Sequence, residues 1–174
     1  MQEIEIPQGI DASISGSSII LKGKAGSAKK DFNKKFIDVK VEGGKLIISA
    51  TDDKKLKRKG MMIENAIKGE VKNMIDAVTN GSEKKMKVLF AHFPMSLEVK
   101  GNLLYIKNIF GERVPRTAKI VGETKVEIKG QDITVRGSDP YDVGQTVANI
   151  RKACYVKDKD TRVFQDGMYV VKEE

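Results

Sequence analysis

The chain repeats itself, and that duplication limits its fold more than any other feature of the sequence. In the first half, Ile6-Pro7 is followed by Ile19-Ile20-Leu21-Lys22-Gly23 and then by the run Ile37 to Ile48. In the second half, Phe93-Pro94 is followed by Leu103-Leu104-Tyr105-Ile106-Lys107-Asn108 and then by Val126 to Val135. The offset between these landmarks stays between 85 and 87 residues. Solenoid repeats have periods of roughly 20–50 residues, so two copies of this longer unit indicate a duplicated domain. A length of 174 residues accommodates two small domains.

Each copy carries the same local signals. Ile37/Val39/Val41 and Leu46/Ile48/Ala50 alternate with polar residues, which places their side chains on one strand face. Gly43-Gly44 and Gly130-Gln131 separate such runs where a tight hairpin needs positive φ. Ser15-Gly16-Ser17-Ser18 and Lys100-Gly101-Asn102 mark an earlier hairpin in each copy. A helix closes each copy. Ile63, Ile67, Val71, Met74, Ile75 and Val78 recur at steps of three and four, with Asn80-Gly81 as the stop. In the second copy Asp139 can cap, Pro140 fits the first turn, and Val143, Val147, Ile150 and Cys154 form the apolar stripe. The expected fold class is α+β: two tandem duplicated domains, each an antiparallel β-sheet layer with one main helix. The expected domains are residues 1–81 and 82–174, with the boundary in Asn80 to Lys87. The segments Gly23 to Asn33, Thr51 to Gly60 and Ile109 to Thr117 are predicted to be polar, basic loops.

The catalytic inventory is poor. His92 is the single histidine and Cys154 the single cysteine, which excludes a His-based triad, a two-histidine metal site and a disulfide framework within one chain. Asp52-Asp53 and Asp158/Asp160 are flanked by lysines and read as solvated turns and helix starts. Lys22-Gly23-Lys24-Ala25-Gly26-Ser27 lacks the spacing of a phosphate-binding loop. No apolar run is long enough for a membrane span, and the first residues show no signal-peptide pattern, so a reducing cytoplasm is the expected location.

Binding is the chemistry that remains. The net charge is +8, with 15 basic and 11 acidic side chains in residues 1–81 and 17 and 13 in residues 82–174. Charge alone therefore does not say which half meets a polyanion. Lys24, Lys29, Lys30, Lys34 and Lys35 form one basic cluster, and Lys54, Lys55, Lys57, Arg58 and Lys59 form another. Such clusters suit the phosphates of folded RNA, or a merely solvated face. The C-terminal run Lys157 to Val170 is more specific. It interleaves Lys157, Lys159 and Arg162 with Phe164, Tyr169 and a tight turn at Asp166-Gly167. Arginine offers a planar fork to phosphate, and the two rings either stack on a base or pin the tail to its domain.

On these residues the chain resembles large-subunit ribosomal protein six in its archaeal and eukaryotic form. The matching stretches are Asp31-Phe32-Asn33, Asn73-Met74-Ile75, Val78-Thr79, Ala91-His92-Phe93-Pro94, Ile106-Lys107-Asn108 and Phe110-Gly111-Glu112. They continue through Gly130 with Asp132-Ile133 to the closing Val156-Lys157, Lys159-Asp160, Arg162, Phe164, Asp166-Gly167 and Tyr169-Val170. The short loop after Lys54 favours an archaeal source. The resemblance implies a structural constituent of the large ribosomal subunit, with no enzymatic activity, cofactor, metal, membrane or small-molecule substrate. It implies docking on 23S-type rRNA near the sarcin–ricin loop and the factor-binding region, with neighbouring ribosomal proteins near the stalk base as further partners. Carried onto matching positions, Lys157, Lys159 and Arg162 are the implied phosphate contacts, Asp166 and Gly167 shape the tail, and Phe164 and Tyr169 stack or anchor. The alternative reading is a free, non-enzymatic protein-interaction module.

Overall fold

A computed structural model describes residues 2–50, 56–91 and 93–171. His92, Asp52-Asp53, Lys54 and Lys55 lie outside the described residues. The chain divides into two units, Met1–Ser82 with Ser138–Pro140, and Glu83–Gly137 with Tyr141–Glu174. Among the described residues, no helix is long and apolar enough to cross a membrane.

The first unit contains β1 (Gln2–Glu5), β2 (Asp11–Ser15), β3 (Ser18–Gly23), β4 (Gly26–Asp31), β5 (Ile37–Glu42), β6 (Lys45–Ala50) and α1 (Lys57–Asn80). Its strands form two sheets, ordered β1-β6-β5 and β2-β3-β4. All four pairings are antiparallel. Alternation places Ile19 and Leu21 of β3, Ile37 and Val39 of β5, and Leu46 and Ile48 of β6 in one core. The α1 stripe of Ile67, Val71, Met74, Ile75 and Val78 closes that core.

The second unit repeats the order. It contains β7 (Ser82–Leu89), β8 (Ser96–Lys100), β9 (Leu103–Lys107), β10 (Arg116–Lys119), β11 (Lys125–Lys129), β12 (Asp132–Gly137), α2 (Pro140–Ala153) and one addition, β13 (Gly167–Val170). Its sheets are β10-β9-β8 and β11-β12-β7-β13. The hairpin glycines reproduce the duplication in the backbone: Gly16 (φ 60) with Gly101 (φ 57), and Gly43 (φ 58) with Gly130 (φ 63). The α+β class with antiparallel sheets is therefore observed, and each unit holds two sheets rather than a single layer.

Three expected loops are corrected. Gly26–Asp31 is strand β4, in which Ala28 alone is apolar and buried, so no alternation was visible. Lys29 and Lys30 sit on that strand, where Lys30 pairs with Glu70 at 2.8 Å. Helix α1 begins at Lys57, before the expected loop ends at Gly60. Gly60 is helical because the helix approaches the sheet closely there: a Cβ would lie 2.9 Å from the Phe36 carbonyl oxygen. Within Ile109 to Thr117, a 3-10 turn at Ile109–Gly111 buries Ile109 and Phe110, and β10 starts at Arg116. A fourth correction concerns Asp166-Gly167. Gly167 has no positive φ among the glycines that do. It opens β13, opposite Leu89, so the pair enters a strand instead of forming a tight turn.

Candidate nucleic-acid interface

The C-terminal tail leaves α2, crosses the second unit and returns to β7 as β13. Its backbone is held at several points. The Asp160 carbonyl oxygen accepts from the N–H groups of Val163 (3.1 Å) and Phe164 (2.9 Å). The Asp160 carboxylate accepts from the Arg162 N–H at 2.9 Å, which closes the turn locally. It also accepts two bonds from the Arg162 guanidinium, Nε at 3.1 Å and Nη2 at 2.9 Å. That fork holds the Asp160 carboxyl below the usual carboxylate range. Even so, the Arg162 side chain is 88% exposed, so the guanidinium is presented to solvent.

Lys157, Lys159 and Arg162 are all exposed. Phe164 and Tyr169 behave differently from free stacking rings. Phe164 packs on the core of the second unit and meets Phe110 edge-on, with centroids 6.1 Å apart at 76°. The Lys159 ammonium lies 4.6 Å from the Phe164 ring centroid. Tyr169 donates its hydroxyl to the Gln165 carbonyl oxygen at 2.8 Å while half its surface remains exposed. Asp166 is buried and accepts the Ala91 N–H at 2.8 Å. Gly167 is buried at the start of β13. Phe164, Asp166 and Gly167 thus hold the tail in place, and Lys157, Lys159 and Arg162 face outward.

Arg116, which sequence reasoning placed only in a basic loop, is the clamp beneath this surface. Its Nη1 donates to the carbonyl oxygens of Ala153 (3.0 Å) and Tyr155 (2.8 Å), and its Nε to Glu112 at 2.8 Å. Its guanidinium also lies 5.7 Å from the Phe110 centroid. These hydrogen bonds pull the Glu112 carboxyl below its usual range, with smaller contributions from Lys159 and Lys157. The loop after the 3-10 turn and the tail therefore form one surface. It carries Val114, Tyr155 and Val163 as exposed apolar groups beside its cations. Glu112 follows the 3-10 turn and Arg116 opens β10, with irregular backbone between them, where a spacing of four carries no sequence signal. Phe110 has φ 50, a strained value for an aromatic residue, and its ring is fixed by Phe164 and Arg116.

Cys154 is buried, and burial pushes its thiol up to about 11. Among the described residues, no group of three or more His, Cys, Asp or Glu side chains could hold a metal ion. The arrangement can bind a polyanion, with cations on a braced scaffold.

A family model described as ribosomal protein L6 matches residues 93–167, from the entry to β8 through the tail to Gly167. The large ribosomal subunit protein uL6 of Methanocella arvoryzae is 41% identical, covering 98% of this chain and 95% of that protein. The chain belongs to the uL6 family. The corresponding protein of Archaeoglobus fulgidus is 42% identical, with 98% and 88% covered, and that of Methanobrevibacter smithii 39%, with 99% and 96% covered. The uL6 family is one of structural large-subunit ribosomal proteins, not of enzymes. These relatives are archaeal, in keeping with the expected source.

Proposed function

We propose that the chain is a structural constituent of the large ribosomal subunit that docks on 23S-type rRNA through its second repeat, near the sarcin–ricin loop and factor-binding region. In this reading residues 82–174 carry the RNA site, and residues 1–81 meet neighbouring large-subunit proteins near the stalk base, in the cytoplasm. The observation that carries it is the tail. Lys157, Lys159 and Arg162 are exposed on a backbone pinned by Asp160, Phe164 and Arg116. A cationic surface that is already ordered loses little entropy on meeting a phosphate backbone. No counterpart of this tail follows the first repeat, where α1 runs directly to Gly81 and β7.

Sedimentation tests this reading. After a high-salt wash, a ribosomal constituent stays with the large subunit in one-to-one stoichiometry. A protein-interaction module would leave the particle and sediment as free protein, which would contradict the assignment.

A further inference from the structure

Three rings lie between α2 and the end of β13: Tyr155, Phe164 and Tyr169. Phe164 packs on the core with Phe110 edge-on, and the Lys159 ammonium lies over its ring at 4.6 Å. Tyr169 is tied through its hydroxyl to the Gln165 carbonyl oxygen. Tyr155 is the most exposed of the three, at 65%. We propose that the Tyr155 ring is the stacking platform for an unpaired base of the rRNA, an inference that rests on the rRNA-binding reading above.

The chain on either side of Tyr155 leaves its ring outside. Cys154 before it is buried in the core of the second unit, and Val156 after it packs against that core. The backbone between them is fixed twice. The Tyr155 N–H donates to the Lys152 carbonyl oxygen at 3.2 Å, and the Tyr155 carbonyl oxygen accepts from Arg116 Nη1 at 2.8 Å. Arg116 is itself held by Glu112 through Nε at 2.8 Å. A tyrosine side chain has only two rotatable angles, so ordering this ring against a ligand costs little entropy. Its exposed surface contributes little to the fold, because that surface stays in water.

The charges around the ring select its occupant. Arg151 and Lys152 are exposed in the last turn of α2, and Lys157 and Lys159 are exposed just beyond Tyr155. From residue 151 to residue 157 the sequence has no acidic side chain. Glu112, whose carboxylate feels Lys157 and Lys159, is engaged by Arg116. Protein docking faces are depleted in lysine, and three of these four cations are lysines. A single-stranded nucleic acid fits better, since basic grooves that track its backbone carry aromatic rings for its bases. Every base has a π-face, so the ring sets no preference among bases. It does favour unpaired nucleotides, because a duplex keeps its base faces stacked on one another.

The full-length chain is titrated over a range of salt with a 23S-type rRNA fragment carrying the sarcin–ricin region. Tyr155→Leu removes the ring and keeps apolar bulk, whereas Tyr155→Phe keeps the ring and removes the hydroxyl. Tyr155→Leu is expected to lose about tenfold in affinity, and Tyr155→Phe to stay within about twofold of wild type. The salt slope should be unchanged in both, because neither removes a cation. Urea midpoints should also match wild type, and a lowered midpoint in Tyr155→Leu would overturn the proposal by giving the ring a structural role. Wild-type affinity in Tyr155→Leu overturns the stacking assignment and leaves the rRNA reading intact; a ring that meets a neighbouring protein instead gives this result. Equal losses in the two variants overturn it as well, since the hydroxyl then carries the contact. A wild type whose affinity for the fragment does not fall with salt overturns both readings.

Discussion

Arg116 and Arg162 carry the same charge and do opposite work, and the difference lies in what each guanidinium touches. Arg116 spends its donors on Glu112 and on the carbonyl oxygens of Ala153 and Tyr155. Arg116→Ala strips those carbonyls of a partner and is expected to lower unfolding free energy by about 1–2 kcal/mol, measured in urea. Arg162 is exposed and its guanidinium forms a surface pair with Asp160, so Arg162→Ala should leave the urea midpoint unchanged. It should nonetheless weaken rRNA binding by roughly tenfold, because one charge-assisted fork is lost. The Glu112 carboxyl adds a pH signature. Its folded value is depressed by the Arg116 hydrogen bond, so its contribution is complete above the ordinary glutamate range and is lost as pH falls through the lowered value. The stability difference between wild type and Glu112→Gln should shrink in that acid window and stay constant at neutral pH. Cys154, buried with a thiol near 11, should resist iodoacetamide at pH 7.5 until the protein unfolds.

At the scale of elements, strand β13 distinguishes the two repeats. In the first unit β1 is the edge of its sheet, whereas in the second β13 covers the matching edge of β7, with Met168 buried opposite Val88. Truncation after Gln165 removes that strand and Asp166 together, uncovering the β7 edge. Such a chain should melt at lower temperature and aggregate more readily. Helix α2 gives a second expectation: Ile150 is fully buried, and Ile150→Ala should cost about 2–5 kcal/mol in urea unfolding. Both helical stripes and both hairpins in each repeat were legible, because apolar periodicity and glycine placement speak directly for them. Strand β4 was not, since a strand reading Gly-Ser-Ala-Lys-Lys-Asp owes its place to pairing with β3 rather than to its own pattern. The start of α1 was hidden by Gly60, which looks like a breaker and is there for close packing. Asp166-Gly167 resembled a turn because turn chemistry is local, whereas its pairing with β7 depends on residues almost eighty positions earlier.

For the whole molecule, the proposed function sets an uneven division of task against an even division of charge between the repeats. The exposed cations of the tail were readable from the sequence. The clamp at Arg116 was not, because it depends on segments brought together by the fold. In the proposed function the tail, and not the equally basic first repeat, supplies the phosphate contacts. A salt-dependent binding titration of the full-length chain against a 23S-type rRNA fragment carrying the sarcin–ricin loop tests this most directly. It compares wild type, a Lys157→Ala/Lys159→Ala/Arg162→Ala variant and a charge-matched Lys24→Ala/Lys34→Ala/Lys35→Ala variant. The tail variant should lose at least about tenfold in affinity, and its slope of log affinity against log salt should fall by about 2–3, while the first-repeat variant stays within about twofold of wild type. Equal losses in the two variants, or a larger loss in the first-repeat variant, would contradict the account.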